Sequence, residues 1–239
     1  MNSNVETVVI LAGGKGTRMR ENPQTVPKPM VKIGGIPVLT HITNYFDQFG
    51  NFQYIICSGY KEEVIFDYFE NNEMKNIKII STGNDTQTGG RLKQVEDYIE
   101  NENFLMTYGD GLADVNIDKL LDFHKNNNKT ATITVHKPEF RFGVVNFDKN
   151  DEVESFVEKP TLNHYVNIGF MVFNKEIFNY LDNDIPLETK PLVNLVEDKQ
   201  LGAFKHEGFF RPMDTYREYL ELNDLWEMDK APWKPSGKL

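Results

Sequence analysis

Val5-Glu6-Thr7-Val8-Val9-Ile10-Leu11-Ala12-Gly13-Gly14-Lys15-Gly16-Thr17-Arg18 is the stretch on which the fold turns. Val5 to Leu11 is β-branched and apolar and is cut off by glycines, so it reads as a buried strand. Outward from it, Pro37 to Phe49 carries apolar residues at helical spacing, with Gly50 as a stop. Gln53 to Cys57 and Asn76 to Ile80 read as strands, and Lys61 to Glu70 as a helix between them. Gly90 to Glu100 reads as a helix burying Leu92, Val95, Tyr98 and Ile99, and Phe104 to Tyr108 as a strand ending at Gly109-Asp110-Gly111. This alternation predicts an α/β fold, a mostly parallel sheet with helices on both faces. Ligands of such sheets sit beyond the C-terminal ends of the strands. The loops after Leu11, Ile80 and Tyr108 leave those ends.

The second half has a different texture. Ile117 to Lys125 reads as a helix, then Ala131 to His136, Phe142 to Phe147, Val153 to Val157 and Tyr165 to Phe173 as strands. Asp148 to Asp151 reads as a hairpin turn. Glu188 to Glu197 and Thr215 to Glu227 read as helices, and the tail from Ala231 as irregular. No linker or repeat divides the chain, so one α/β domain with a β-rich second part is the simplest organisation.

Several residues offer chemistry. Glycines after a buried strand let backbone N–H groups approach an anion, and Lys15 and Arg18 add charge. The spacing is neither Walker A nor the dinucleotide fingerprint, and a glycine turn alone is often only a turn. Lys28 lies between Pro27 and Pro29, which restrain its backbone. Near a phosphate loop it would stabilise charge at phosphorus; otherwise it is a surface lysine in a proline turn. Asp110, between two glycines after a strand, suits a metal ion. Asp214 reads either as a second metal ligand or as a helix N-cap. Arg91 is either a donor to a ligand or a solvated side chain at a helix start, and Glu158-Lys159 either a site pair or a solvated strand end.

Leu11 to Arg18, followed by Pro27-Lys28-Pro29-Met30 and Ile33-Gly34-Gly35-Ile36-Pro37, resembles the sugar-phosphate nucleotidyltransferase family. The resemblance runs nearly end to end. It continues through Thr88-Gly89-Gly90-Arg91-Leu92-Lys93, Thr107-Tyr108-Gly109-Asp110-Gly111 and Arg141-Phe142-Gly143. Glu158-Lys159-Pro160, Met213-Asp214-Thr215 and Ala231-Pro232-Trp233 complete it. The Thr-Gly-Gly-Arg-Leu run, with the Asp-Thr and Pro-Trp signatures, points to the cytidylyl branch.

The resemblance implies a Rossmann-like three-layer fold in a single domain, with residues 1–115 binding nucleotide and residues 116–239 forming the acceptor-binding part and C-terminal helix. It implies transfer of CMP from CTP to glucose 1-phosphate or a similar small phosphorylated acceptor, with Mg²⁺. Other acceptors, a UTP- or dTTP-using relative and a catalytically silent nucleotide-binding protein are the alternatives. Nucleotide would be held by Leu11, Ala12, Gly13, Gly14, Lys15, Gly16, Thr17, Arg18, Lys28, Gly90, Gly109 and, around the base, Thr86 and Arg91. Arg18, Lys28 and Asp110 would be catalytic, and Asp110 and Asp214 would hold the metal. Glu158, Lys159, Asn167 and Gly169 would meet the acceptor. Relatives in this branch have a further segment between the helix near Phe69 and the Thr-Gly run, and more often a second glycine where Ile168 stands. The family often assembles into homo-oligomers, although no decisive interface pattern is evident in the sequence.

Composition bounds the rest. The 239 residues carry 26 Lys plus Arg against 36 Asp plus Glu, a net charge of −10. That opposes broad nucleic-acid binding, which needs a basic surface. A single cysteine, Cys57, rules out an internal disulfide and reads as a small buried hydrophobe. The five histidines are scattered without a zinc pattern. No stretch approaches the roughly 20 apolar residues of a membrane helix, and no secretory leader is evident, so the expectation is a soluble cytoplasmic protein.

Overall fold

The computed structural model describes residues 6–16, 26–72, 74, 76–182 and 184–235. The first half contains β1 (Glu6–Leu11), β2 (Lys32–Ile33), β3 (Ile36–Pro37), α1 (Val38–Phe46), β4 (Phe52–Ser58), α2 (Glu62–Asn71), β5 (Ile77–Ser81), α3 (Thr88–Gln94), β6 (Asn103–Tyr108) and β7 (Gly111–Ala113). The second contains α4 (Ile117–Asn127), β8 (Ala131–His136), β9 (Val144–Phe147), β10 (Val153–Val157), β11 (Val166–Asn174), α5 (Lys190–Glu197), β12 (Leu201–His206), β13 (Phe210–Pro212) and α6 (Tyr216–Glu227).

Seven strands form the main sheet in the order β12-β8-β11-β6-β1-β4-β5. β6, β1, β4 and β5 run parallel, as do β8 and β12. β11 is antiparallel to both of its neighbours, β6 and β8. The central strands are buried on both faces, and the alternation of side chains assigns each residue to one core. Val8, Ile10, Tyr54, Ile56 and Leu105 face a layer built from α1, α2, α4 and α6. Val9, Leu11, Ile55, Cys57 and Met106 face the opposite layer, with Leu92 of α3 and Leu192 and Leu195 of α5. Each fully buried aliphatic side chain contributes about 1.5–3 kcal/mol, which fixes the strand register.

Local departures from the sequence reading have physical reasons. The helical run from Gly90 ends at Gln94 and tightens into a 3-10 turn, Glu96–Tyr98. That change of pitch turns Tyr98 outward, 42% exposed with the Lys78 ammonium over its ring, instead of into the core. The tail is irregular, as expected, yet anchored: Trp233 is buried against Phe209 and edge-on to His41 of α1. Cys57 is buried, and burial pushes its thiol up to about 12, so it is an inert core group.

Candidate active site

Three loops leave the C-terminal ends of β1, β5 and β6 and enclose a cleft of about 440 Å³. Leu11, Ala12, Gly13, Gly14, Lys15 and Gly16 line one wall, Asn84 to Thr88 and Arg91 the opposite wall, and Lys28, Tyr108, Gly109 and Asp110 complete it. The loops are tied to the sheet beneath them. Gly109 N–H donates to Leu11 O at 3.0 Å, and Ala12 N–H to Cys57 O at 2.9 Å. Of the residues expected to bind nucleotide, Thr17 and Arg18 lie outside the described residues.

Lys28 is not a surface lysine. It sits in a short 3-10 turn, Lys28–Met30, with its side chain 8% exposed and its stem against Gly16. Its ammonium donates to Asp110 Oδ2 at 2.6 Å and to Asp214 Oδ1 at 2.5 Å. The two carboxylates, distant in sequence, meet because β13 pairs antiparallel with β7, setting Pro212 opposite Gly111. Met213 N–H then donates to Asp110 O at 2.8 Å. Asp214 does not cap α6. The N-cap is Thr215, whose hydroxyl accepts Glu218 N–H while the Glu218 carboxylate accepts Thr215 N–H, a reciprocal capping box. The Asp214 side chain therefore points to Lys28 and not to the helix end.

Arg91 is neither solvated nor free. Its guanidinium is buried and donates to Ser58 O (3.0 Å), Thr82 Oγ1 (2.6 Å) and Gly13 O (3.0 Å). Three of its five N–H donors are thus spent on holding the β1, β4 and β5 loops together. Gly13 makes this contact possible: a Cβ there would lie 1.9 Å from Arg91 Nη1. Gly90 is not among the residues lining the cleft and lies against Asp184, whose carboxylate also accepts Gln87 N–H at 2.7 Å. Thr86 lines the cleft, its hydroxyl bonded to Thr82 O at 2.5 Å. Across the mouth, Lys15 pairs with Asp85 at 2.6 Å, and the ammonium holds that exposed carboxyl below its usual range.

A second cavity of about 540 Å³ adjoins the first and shares Tyr108 and Asp110 with it. Asn167, Ile168, Glu188, Leu192, Phe210 and Asp214 also line it. Asn167 Oδ1 accepts Gly169 N–H at 3.0 Å. Gly169, at φ +83°, packs directly under the Tyr108 ring, where a Cβ would lie 2.1 Å from Cδ2. Glu158 and Lys159 line neither cavity. They are exposed at the end of β10, on a two-stranded ribbon (β9 and β10) separate from the main sheet.

Two groups at the junction of the cavities escaped the sequence reading. Tyr108 OH donates to Glu188 Oε1, and Thr88 Oγ1 donates to Glu188 Oε2 at 2.7 Å. Burial and then the Glu188 carboxylate raise the Tyr108 phenol, which stays neutral and a donor. Tyr108 was visible as the residue before the Gly-Asp-Gly turn, whereas Glu188 had no local signal.

Among the described residues, no group of three or more His, Cys, Asp or Glu side chains is arranged around one metal position, and no helix is long and apolar enough to cross a membrane. His41 and His124 are buried, with ring nitrogens bonded to Ile33 O at 2.9 Å and to Thr132 Oγ1 at 2.9 Å. Burial lowers both imidazoles below their ordinary value.

Residues 7–203 match the family described as Nucleotidyl transferase. A glucose-1-phosphate cytidylyltransferase of Salmonella typhimurium is 43% identical over 252 positions, covering 95% of this chain and 98% of that protein. That alignment is longer than the 239 residues here, so the relative contains positions with no counterpart in this chain. A Bacillus subtilis protein named "Probable glucose-1-phosphate cytidylyltransferase" is 37% identical, covering 95% of this chain and 98% of its own. Among solved structures, HddC from Yersinia pseudotuberculosis, complexed with GMP-PN, superposes with a TM-score of 0.72 at 26% identity, covering 93% of this chain and all of that one. With the family match running over residues 7–203 and relatives 43% and 37% identical along nearly the whole chain, this protein belongs to the nucleotidyltransferase family, as an enzyme of that class.

Proposed function

We propose that this enzyme transfers a cytidylyl group from CTP to glucose 1-phosphate, giving CDP-glucose and pyrophosphate. The observation that carries the proposal is the Lys28 ammonium held between Asp110 and Asp214 beside the glycine loop. The names of the relatives at 43% and 37% identity supply the nucleotide and the acceptor.

An acceptor phosphate oxygen attacks the α-phosphorus of CTP in line; the new P–O bond forms as the bond to pyrophosphate breaks. A phosphate dianion is already nucleophilic, so positioning and charge stabilisation carry the catalysis. The backbone of Gly13 to Gly16 is assigned to the triphosphate, with Thr17 and Arg18 following it in sequence. Lys28 is assigned to the charge that grows at phosphorus. Residues 1–115 take the nucleotide and residues 116–239 the acceptor, with Asp214 crossing that division. Asn167 lies in the acceptor cavity, and Glu158 and Lys159 are assigned to acceptor capture from the ribbon.

Asp110 and Asp214 fit a divalent cation, since they already converge on one positive group and are partly open to water. Mg²⁺ bound there would neutralise phosphate charge during transfer. Pyrophosphate release with CTP, UTP and dTTP, each offered with glucose 1-phosphate and with other phosphorylated acceptors, tests the reading. Turnover is expected with CTP and glucose 1-phosphate. Preference for another nucleotide, or for an acceptor that is not a hexose phosphate, would overturn it.

A further inference from the structure

Glu218 is 5% exposed, and three donors meet its carboxylate. Oε2 accepts both Asp214 N–H and Thr215 N–H at 2.9 Å. Oε1 accepts Arg141 Nη2 at 2.5 Å. A capping box explains only the Thr215 bond. The bond to Asp214 N–H fixes the peptide from which the Asp214 carboxylate projects, and Arg141 supplies the charge that lets Glu218 remain buried. Arg141 comes from elsewhere in the fold, the connection between β8 and the ribbon, and its side chain is 67% exposed.

We infer that Glu218 and Arg141 are positioning residues for Asp214, a buried carboxylate and its guanidinium brace that hold the Asp214 oxygens in place to share a cation with Asp110. The inference rests on the metal reading above and deepens it. Without Arg141, the Glu218 carboxylate loses its countercharge in a nearly dry position. It then turns toward water and releases the two N–H groups before α6. Asp214 keeps its chemistry but loses its aim. Outer partners of this kind affect metal affinity although they never touch the ion. The same brace ties the base of the ribbon that carries Glu158 and Lys159 to the loop that carries Asp214.

Direct titration of the nucleotide-free protein with Mn²⁺, followed by the electron paramagnetic resonance of the free ion, reads the effect without turnover. Arg141→Ala, a surface change, and Glu218→Gln, which retains an acceptor for the backbone, are each expected to weaken Mn²⁺ binding about tenfold. Arg141→Lys is expected to restore part of the loss, and the double variant to bind no more weakly than Glu218→Gln alone. Asp214→Asn is the reference, expected to lose the site. Mn²⁺ affinity unchanged in Arg141→Ala and Glu218→Gln but lost in Asp214→Asn overturns the positioning role alone. Affinity unchanged in Asp214→Asn overturns the metal reading, and the positioning role falls with it.

Discussion

The two sides of Asp110 are built differently. On the nucleotide side, charged groups are buried and locked: Lys28 between two carboxylates, Arg91 across three loops. On the side proposed for the acceptor, the ribbon stands apart from the main sheet, with Phe147 and Phe156 each 63% exposed and Glu158 and Lys159 in water. A transition state is stabilised by dipoles and charges that need not reorganise, so they belong in the rigid core. Capturing an acceptor demands less, and under the proposed function it would fall to the ribbon.

That contrast can be broken or sharpened by substitution. Lys28→Met is expected to lower kcat by about 10²–10³-fold, the cost of one preorganised donor, in a pyrophosphate-release assay. Turnover close to wild type would remove Lys28 from the chemistry. Arg91→Lys is expected to cost about 2 kcal/mol in urea unfolding, because one ammonium cannot replace a planar fork serving three acceptors. An unchanged midpoint would mean that the clamp across the loops is dispensable.

On the ribbon, Lys159→Met is expected to raise the acceptor KM about tenfold while kcat stays within a few-fold, the pattern of lost uniform binding. A kcat loss as large as that of Lys28→Met would erase the contrast. The buried, neutral His41 and His124 give a milder effect. Their folded pKa lies below the unfolded value of 6.5, so the unfolded chain takes up protons first. Stability should be fully present above that value and fall as the pH drops toward the depressed folded pKa. A thermal midpoint independent of pH across this window would contradict it, and His41→Gln should flatten the slope. Smallest of all, Phe156→Ser is expected to change unfolding stability by no more than about 0.5 kcal/mol, despite removing an aromatic ring, since the ring is exposed.

Sequence legibility followed the same division. β1, β4 and β6 are short apolar runs ended by glycine or polar loops, and their burial on both faces made them plain. β12 was missed because Gly202, Lys205 and His206 interrupt its apolar character, as suits a strand at the sheet edge. β7 and β13 have three residues each, too few for any periodicity, yet they bring Asp110 to Asp214. Lys28 and Asp110 stood out because proline- or glycine-flanked motifs carry them, whereas Asp214 read equally as a helix cap. The clamp that Arg91 makes across three loops was not legible, because a guanidinium bonded to protein oxygens looks the same in sequence as one facing a ligand. Glu218 did leave a trace, the Thr215-x-x-Glu218 capping spacing, but nothing there pointed to Arg141.

The pairing of β7 with β13 sets an order of events during synthesis. The glycine loop, Lys28 and Asp110 leave the ribosome before β8, β11 and β12, while Asp214 follows the last strand of the main sheet. Until Pro212 settles opposite Gly111, a nascent chain has the wall of the cleft but one carboxylate instead of two. The second carboxylate proposed for the metal is therefore supplied only after the whole of the large sheet, and a product cut off after β12 would retain every strand of that sheet but lack Asp214.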